Sequence, residues 1–195
     1  MNTSRHTNTQ SGRWRFHLPR SLWRFARNGR GSVAIEFAAL ALPFALLVFA
    51  ILESCISFAA QQVLMNTTDD VARQFRTGQL RPADIEKDKQ LVRNLICEQL
   101  EIVVSNGCPG LLIDLKPHET FAQAAAVRIK FTPDNDIDDS GFSIKPGKSE
   151  AINQLRVFYK WPVMTDFLRK SMSNLKDGKT MHFATVTWKN EPFND

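Results

Sequence analysis

The first 30 positions of this 195-residue chain contain no acidic residue. They hold seven arginines: Arg5, Arg13, Arg15, Arg20, Arg24, Arg27 and Arg30. All 20 acids lie beyond, against 18 lysines and arginines, so residues 31–195 carry −2 and the overall +5 is a property of the leader. Histidine is scarce. His6 and His17 fall in the leader, His118 in a Pro-rich turn and His182 in a strand-like run. No G-x-S-x-G, H-E-x-x-H, phosphate-loop or dinucleotide fingerprint occurs, so no catalytic residue, metal site or cofactor is expected. Internal repeats and low-complexity tracts are absent as well. The leader's charge invites a nucleic-acid reading, but it runs straight into an apolar segment and is better explained by a membrane.

That segment runs from Val33 to Leu52. Its 20 residues are apolar except for Glu36 and the helix-compatible Pro43. As a helix it is about 30 Å long, enough to cross a bilayer core. Basic residues before such a run stay cytoplasmic and send the C-terminal part across. A mid-helix acid costs about 2.5–3.5 kcal/mol even on translocon scales, so Glu36 needs a reason. It lies one turn after Ser32, and a free amine on Ser32 would neutralise it. That amine exists only if the chain is cut after Gly31. Three other readings compete. A secretory signal cut near Ser57-Phe58-Ala59 has too long an apolar run and contains Glu36. A lipoprotein cut before Cys55 puts Glu53 where a small residue is needed. A plain uncleaved anchor remains.

The order of basic leader, Gly31, four residues, Glu36 and an apolar helix resembles type IV prepilin processing sites. The longer string through Ala34, Glu36-Phe37, Leu42-Pro43 and Ile51-Leu52-Glu53 is similar to the TadE-like pseudopilins of tight-adherence (Flp) pilus machines. Tyr159, Trp161-Pro162 and Lys189-Asn190-Glu191-Pro192-Phe193 resemble that family's closing segments. Phe37, where major Flp pilins carry Tyr, favours the minor class. The resemblance implies removal of residues 1–31 by a prepilin peptidase, with Gly31, Ser32, Glu36 and Phe37 as the processing site. It implies assembly through Glu36, whose carboxylate meets an N-terminal amine, its own or a neighbour's. Its implied partners are other pilins or pseudopilins and the inner-membrane assembly platform, not nucleic acid. The protein would be a single-pass inner-membrane protein, its N-terminus cytoplasmic and its C-terminal domain periplasmic, serving assembly and not turnover. The competing class is a membrane-anchored periplasmic enzyme or ligand-binding domain.

The expected architecture is α+β, with residues 32–53 as the membrane helix and 54–195 as the periplasmic domain. Ile56, Ala59, Ala60, Val63, Thr67, Val71 and Phe75 recur at steps of three and four, which continues the helix as an amphipathic one to about Phe75, with Gly78 as its stop. Ile85, Val92, Leu95, Ile96 and Leu100 predict a second helix. Four strands are expected, at Leu111–Leu115, Ala125–Thr132, Leu155–Trp161 and Met181–Trp188, in an antiparallel sheet. Across the membrane, Cys97 and Cys108 can form a disulfide, worth roughly 3 kcal/mol for so short a loop. Cys55 is left over, as a small buried apolar residue. Asp136 to Gly141 looks like part of a calcium loop, but Gly147 stands where the bidentate acid belongs, so a solvated connector balanced by Lys145 and Lys148 is expected.

The mature chain is predicted to begin at Ser32. Intact mass of membrane-extracted protein checks this, and replacing Gly31 with a bulky residue is expected to leave the precursor uncut.

Overall fold

The computed structural model describes residues 29–193; residues 1–28, with six of the seven leader arginines, lie outside the described residues. The element order is α1 (Gly29–Arg76), α2 (Pro82–Lys87), α3 (Leu91–Leu100), β1 (Leu111–His118), α4 (Phe121–Ala126), β2 (Ile152–Pro162), α5 (Asp166–Met172) and β3 (Lys179–Lys189). A 3-10 turn, Lys176–Gly178, precedes β3. The architecture is α+β, as expected, and contacts divide it into Met1–Leu47 and Val48–Asp195.

In the first unit, none of the residues from Val33 onward is buried. Pro43 sits inside α1 and the helix continues through it. Val33–Arg76 is long and apolar enough to cross a membrane, and its most apolar window has no buried residue. A helix that is apolar all round and unburied requires an apolar surrounding.

In the second unit, α1 buries Glu53, Ser57, Ala60, Leu64, Thr67, Val71 and Phe75, which recur at steps of four and three. The outer part of the expected stripe holds, with Ala60, Thr67, Val71 and Phe75 buried. Its inner end is corrected: Ile56 is 46% exposed and Ala59 is exposed, while Glu53 and Ser57 face inward. The buried positions there are polar, so hydrophobicity alone could not mark them. Gly78 ends the helix at a φ of +72°, and Gln79 N–H donates back to the Gln74 carbonyl. A side chain at Gly78 would also meet the Phe193 ring.

The single second helix expected from the sequence is two. The backbone turns extended at Asp88, whose carboxylate accepts from Gln90 N–H at 2.8 Å and so separates α2 from α3. Cys97, in α3, is bonded to Cys108. Beside this disulfide, the Arg93 guanidinium donates to the carbonyls of Leu111, Gly107 and Cys108, which ties α3 to the start of β1.

The sheet is antiparallel, ordered β1-β2-β3, with Ile113 opposite Val157 and Val157 opposite Ala184. Leu111, Ile113, Leu115, Leu155, Val157, Tyr159, Ala184 and Trp188 face the helices and form one core with Leu64, Val71, Phe75, Val92, Ile96 and Leu100. Three of the four expected strands form, and β1 extends through Lys116-Pro117-His118, which had read as a turn. The fourth, over Ala125–Thr132, does not. Thr120 caps α4 by accepting from Gln123 N–H, and the alanine-rich run that follows stays helical to Ala126. Val127–Lys130 has no ladder, and Phe131 makes one bridge to Ile137. The free side of β1 at Leu115 is already taken by hydrogen bonds with Ser143 and Lys145. The alternation had a real cause, because Ile129 packs on the second sheet face with Ile137, Phe142, Phe158, Leu175 and Phe183.

Both faces of β2 are therefore buried, and Arg156 is enclosed with Asp114, its cross-strand partner, at 2.5 Å. Asp114 also accepts from Ser143 N–H and Lys116 Nζ, and the guanidinium lies 5.5 Å from the Phe142 ring centroid. Removing one member of a buried pair strands the other. Asp114→Ala is predicted to cost about 3–5 kcal/mol. Thermal melting of the detergent-solubilised chain checks this, and the double substitution Asp114→Leu with Arg156→Met is expected to recover much of the loss.

Candidate functional site

Residues Gly31 and Ser32 belong to the first turn of α1, and only their backbone is described. Glu36 stands one turn on, about 6 Å along the axis from Ser32. Glu36 and Phe37 are exposed, Phe37 to 72%. The spacing that the processing site needs is thus present on a helical backbone. A cut after Gly31 would leave an amine one turn from a carboxylate.

A second polar constellation begins where the apolar run ends, and the sequence did not reveal it. Glu53 is 8% exposed. One carboxylate oxygen accepts from Met164 N–H at 2.5 Å; the other accepts from Thr165 N–H at 3.2 Å and from Thr165 Oγ1 at 2.5 Å. The loop between β2 and α5 is thereby fixed to α1. One turn further, Ser57 Oγ lies 3.0 Å from His182 Nε2 on β3, and the His182 ring stacks on Trp161 with centroids 5.3 Å apart. Another turn on, the Gln61 amide donates to the Phe183 carbonyl at 2.9 Å and accepts from Phe183 N–H at 3.2 Å. Glu53, Ser57 and Gln61 share one helix face at steps of four, and that polar spacing just past an apolar run was the available signal.

Burial pushes the His182 imidazole down from its usual 6.5 to about 4, so it stays neutral at ordinary pH. A serine hydrogen-bonded to a neutral histidine has the outline of a nucleophile and its base. Ser57 and His182 are each only 5% exposed, however, and the ring is held flat against Trp161. No acid orients the imidazole among the hydrogen bonds of the described residues. The pair can position β3 on α1, but a substrate does not reach it. The other histidine beyond the leader, His118, ends β1 opposite Ile152. A surface depression of about 590 Å³ between Pro82–Ile85 and Ile144–Pro146 contains neither histidine.

The remaining sequence candidates resolve individually. The disulfide pair is joined as expected. Glu101 comes near both of its sulfurs, but sulfurs bonded to each other offer no thiolate to a metal. Cys55 is exposed, not buried, because the inward face at that level belongs to Glu53 and Ser57. The acidic connector is balanced, though by Lys160 on Asp136 at 2.8 Å and Lys176 on Asp134 at 3.6 Å, not by Lys145 and Lys148. The Lys160 hydrogen bond holds the Asp136 carboxyl below the usual range, and those from Ser140 do the same for Asp138. These carboxylates have protein donors already.

Residues 31–73 match the family model described as TadE-like protein, so the segment carrying the resemblance is a TadE-like segment. The match lies wholly within α1. No curated protein and no solved structure matches the chain.

The neutral histidine sets a pH dependence. Above about pH 6.5 the imidazole is neutral in both folded and unfolded chains and contributes no slope. Between about 6.5 and about 4 the unfolded chain binds a proton that the folded chain refuses, so stability is lost as the pH is lowered, by at most about 1.4 kcal/mol per unit. Melting temperatures from pH 7.5 down to 4.5 check this. His182→Gln is expected to melt lower at the top of the range and to lose less across it.

Proposed function

We propose that the protein is a minor pseudopilin of a tight-adherence pilus or a related secretion apparatus. It is a non-catalytic subunit held in the inner membrane by residues 32–53. A prepilin peptidase removes residues 1–31, leaving the N-terminus at Ser32 on the cytoplasmic side. Residues 54–195 form the periplasmic domain. The observation that carries this reading is one TadE-like helix with two characters: an unburied, apolar half and a half that packs into an α+β core. The Cys97–Cys108 disulfide supports an oxidising compartment for the domain.

In assembly, the apolar half packs among other pilin helices, and Glu36 offers its carboxylate to an N-terminal amine. In lipid neither charge is tolerated alone, so pairing selects one axial register between neighbours. The folded domain makes the contacts that distinguish this subunit from others, with the inner-membrane assembly platform as a further partner. A membrane-anchored enzyme, the competing class, would draw on Ser57 and His182, and their enclosure speaks against it.

Glu36→Ala is predicted to abolish surface pili while leaving membrane insertion and leader cleavage intact. Insertion loses an unfavourable charge, and the cut depends on Gly31 and the basic leader. Complementation of a deletion strain, scored for pili and for the mass of the processed chain, checks both halves. Normal piliation would favour a simple anchor.

A further inference from the structure

The junction between the apolar run and the folded domain carries a feature that neither part needs on its own. Glu53 is the first charged residue after Leu52, yet its carboxylate is turned into the domain, where it holds Met164 and Thr165. At the other end of α5, Met172 Sδ lies 3.9 Å from Ser54 Oγ. Both ends of α5 therefore meet α1 within one turn, at Glu53 and Ser54, and the short helix lies at that single level. At that level the other faces of α1 are apolar. Ile51 is 54% exposed, Leu52 52%, Ile56 46% and Phe58 74%, and Met164 in the loop is 69% exposed. Val163, next to Met164, is buried and anchors the loop, so Met164 projects from a fixed backbone. The last turn of α5 adds exposed basic residues, Arg169 and Lys170.

We infer that the Val163–Met172 segment, α5 included, forms a collar seated in the headgroup layer of the bilayer, with Met164 reaching toward the acyl chains and Lys170 meeting anionic phospholipid. This rests on the reading of residues 33–52 as the membrane span. The dimensions agree. From Leu52 to Phe58 α1 rises about 9 Å, and the interfacial layer on each side of a bilayer core is roughly 5–8 Å thick. Apolar side chains beside basic ones at that depth are the composition of an interfacial segment. The exposed apolar residues at this level are continuous with the unburied run that precedes them, so lipid is the occupant this surface calls for.

The test uses the full chain in liposomes, with Cys55→Ser and the Cys97–Cys108 disulfide intact. Nitroxide labels are placed one at a time at Phe44→Cys, Met164→Cys and Met65→Cys. Power saturation with oxygen and with a water-soluble nickel chelate reads each label's depth. Phe44 is expected deep in lipid, Met164 shallow in lipid, and Met65 in water. In bilayers containing anionic phospholipid, Lys170→Glu is expected to raise nickel access at Met164 about twofold. A Met164 label in water while Phe44 remains in lipid overturns the collar and leaves the span standing. Both labels in water overturn the span reading as well. A Met164 label hidden from both reagents means that protein covers it, which also overturns the inference. Equal nickel access with and without Lys170→Glu removes the anionic lipid from it.

Discussion

Beyond Leu52 the backbone of α1 stays helical while its surroundings change from none within the protein to a packed core, and everything downstream has to accommodate that change. The folded domain is built on the continuing helix. Leu64, Val71 and Phe75 enter the same core as Leu115, Leu155 and Val157.

The polar face of the junction explains how such a core acquires one register. Apolar contacts tolerate a slip of a turn, but the row Glu53, Ser57 and Gln61 does not. A slip would bury the Glu53 carboxylate away from the Met164 and Thr165 amides and would separate Ser57 from His182. Buried polar groups are expensive when unpaired, so the penalty falls on every register but one. The Gln61 amide works in the same way on the backbone of Phe183, because β3 lies at the edge of the sheet and has no strand beyond it. The Asp114–Arg156 pair serves the opposite face, where it fixes β1 against β2.

These devices suit the proposed role as a subunit whose work is placement. The disulfide and the Arg93 contacts brace the end of the domain formed by α3 and the start of β1. The Glu53 clamp braces the other end, at the level where the apolar run stops. Among the described residues the buried polar side chains are paired with other side chains or with backbone, the Trp161 indole N–H excepted, and the acidic connector is occupied by lysines from β2 and the turn before β3.

The leader's charge, the apolar run, the Gly31–Glu36 spacing and three strands were legible in the residues themselves, because each is a local pattern imposed by the solvent or by the period of the backbone. The TadE-like resemblance was legible for the same reason, being carried by a contiguous string. The paired cysteines could be matched because Cys55 sits on the long helix just past the apolar run, which leaves Cys97 and Cys108 to each other. Where elements meet was not legible. Ala125–Thr132 has strand alternation and became a helix end and a covering loop, because the alanines held α4 and Ser143 to Lys145 occupied the place beside β1. Glu53, Ser57 and His182 carry ordinary side chains at ordinary spacings. Only the packing of α1 against the loop after β2 and against β3, more than a hundred residues away in sequence, turned them into a buried polar row. Chain order records which groups need partners, and the tertiary structure decides which partners they receive.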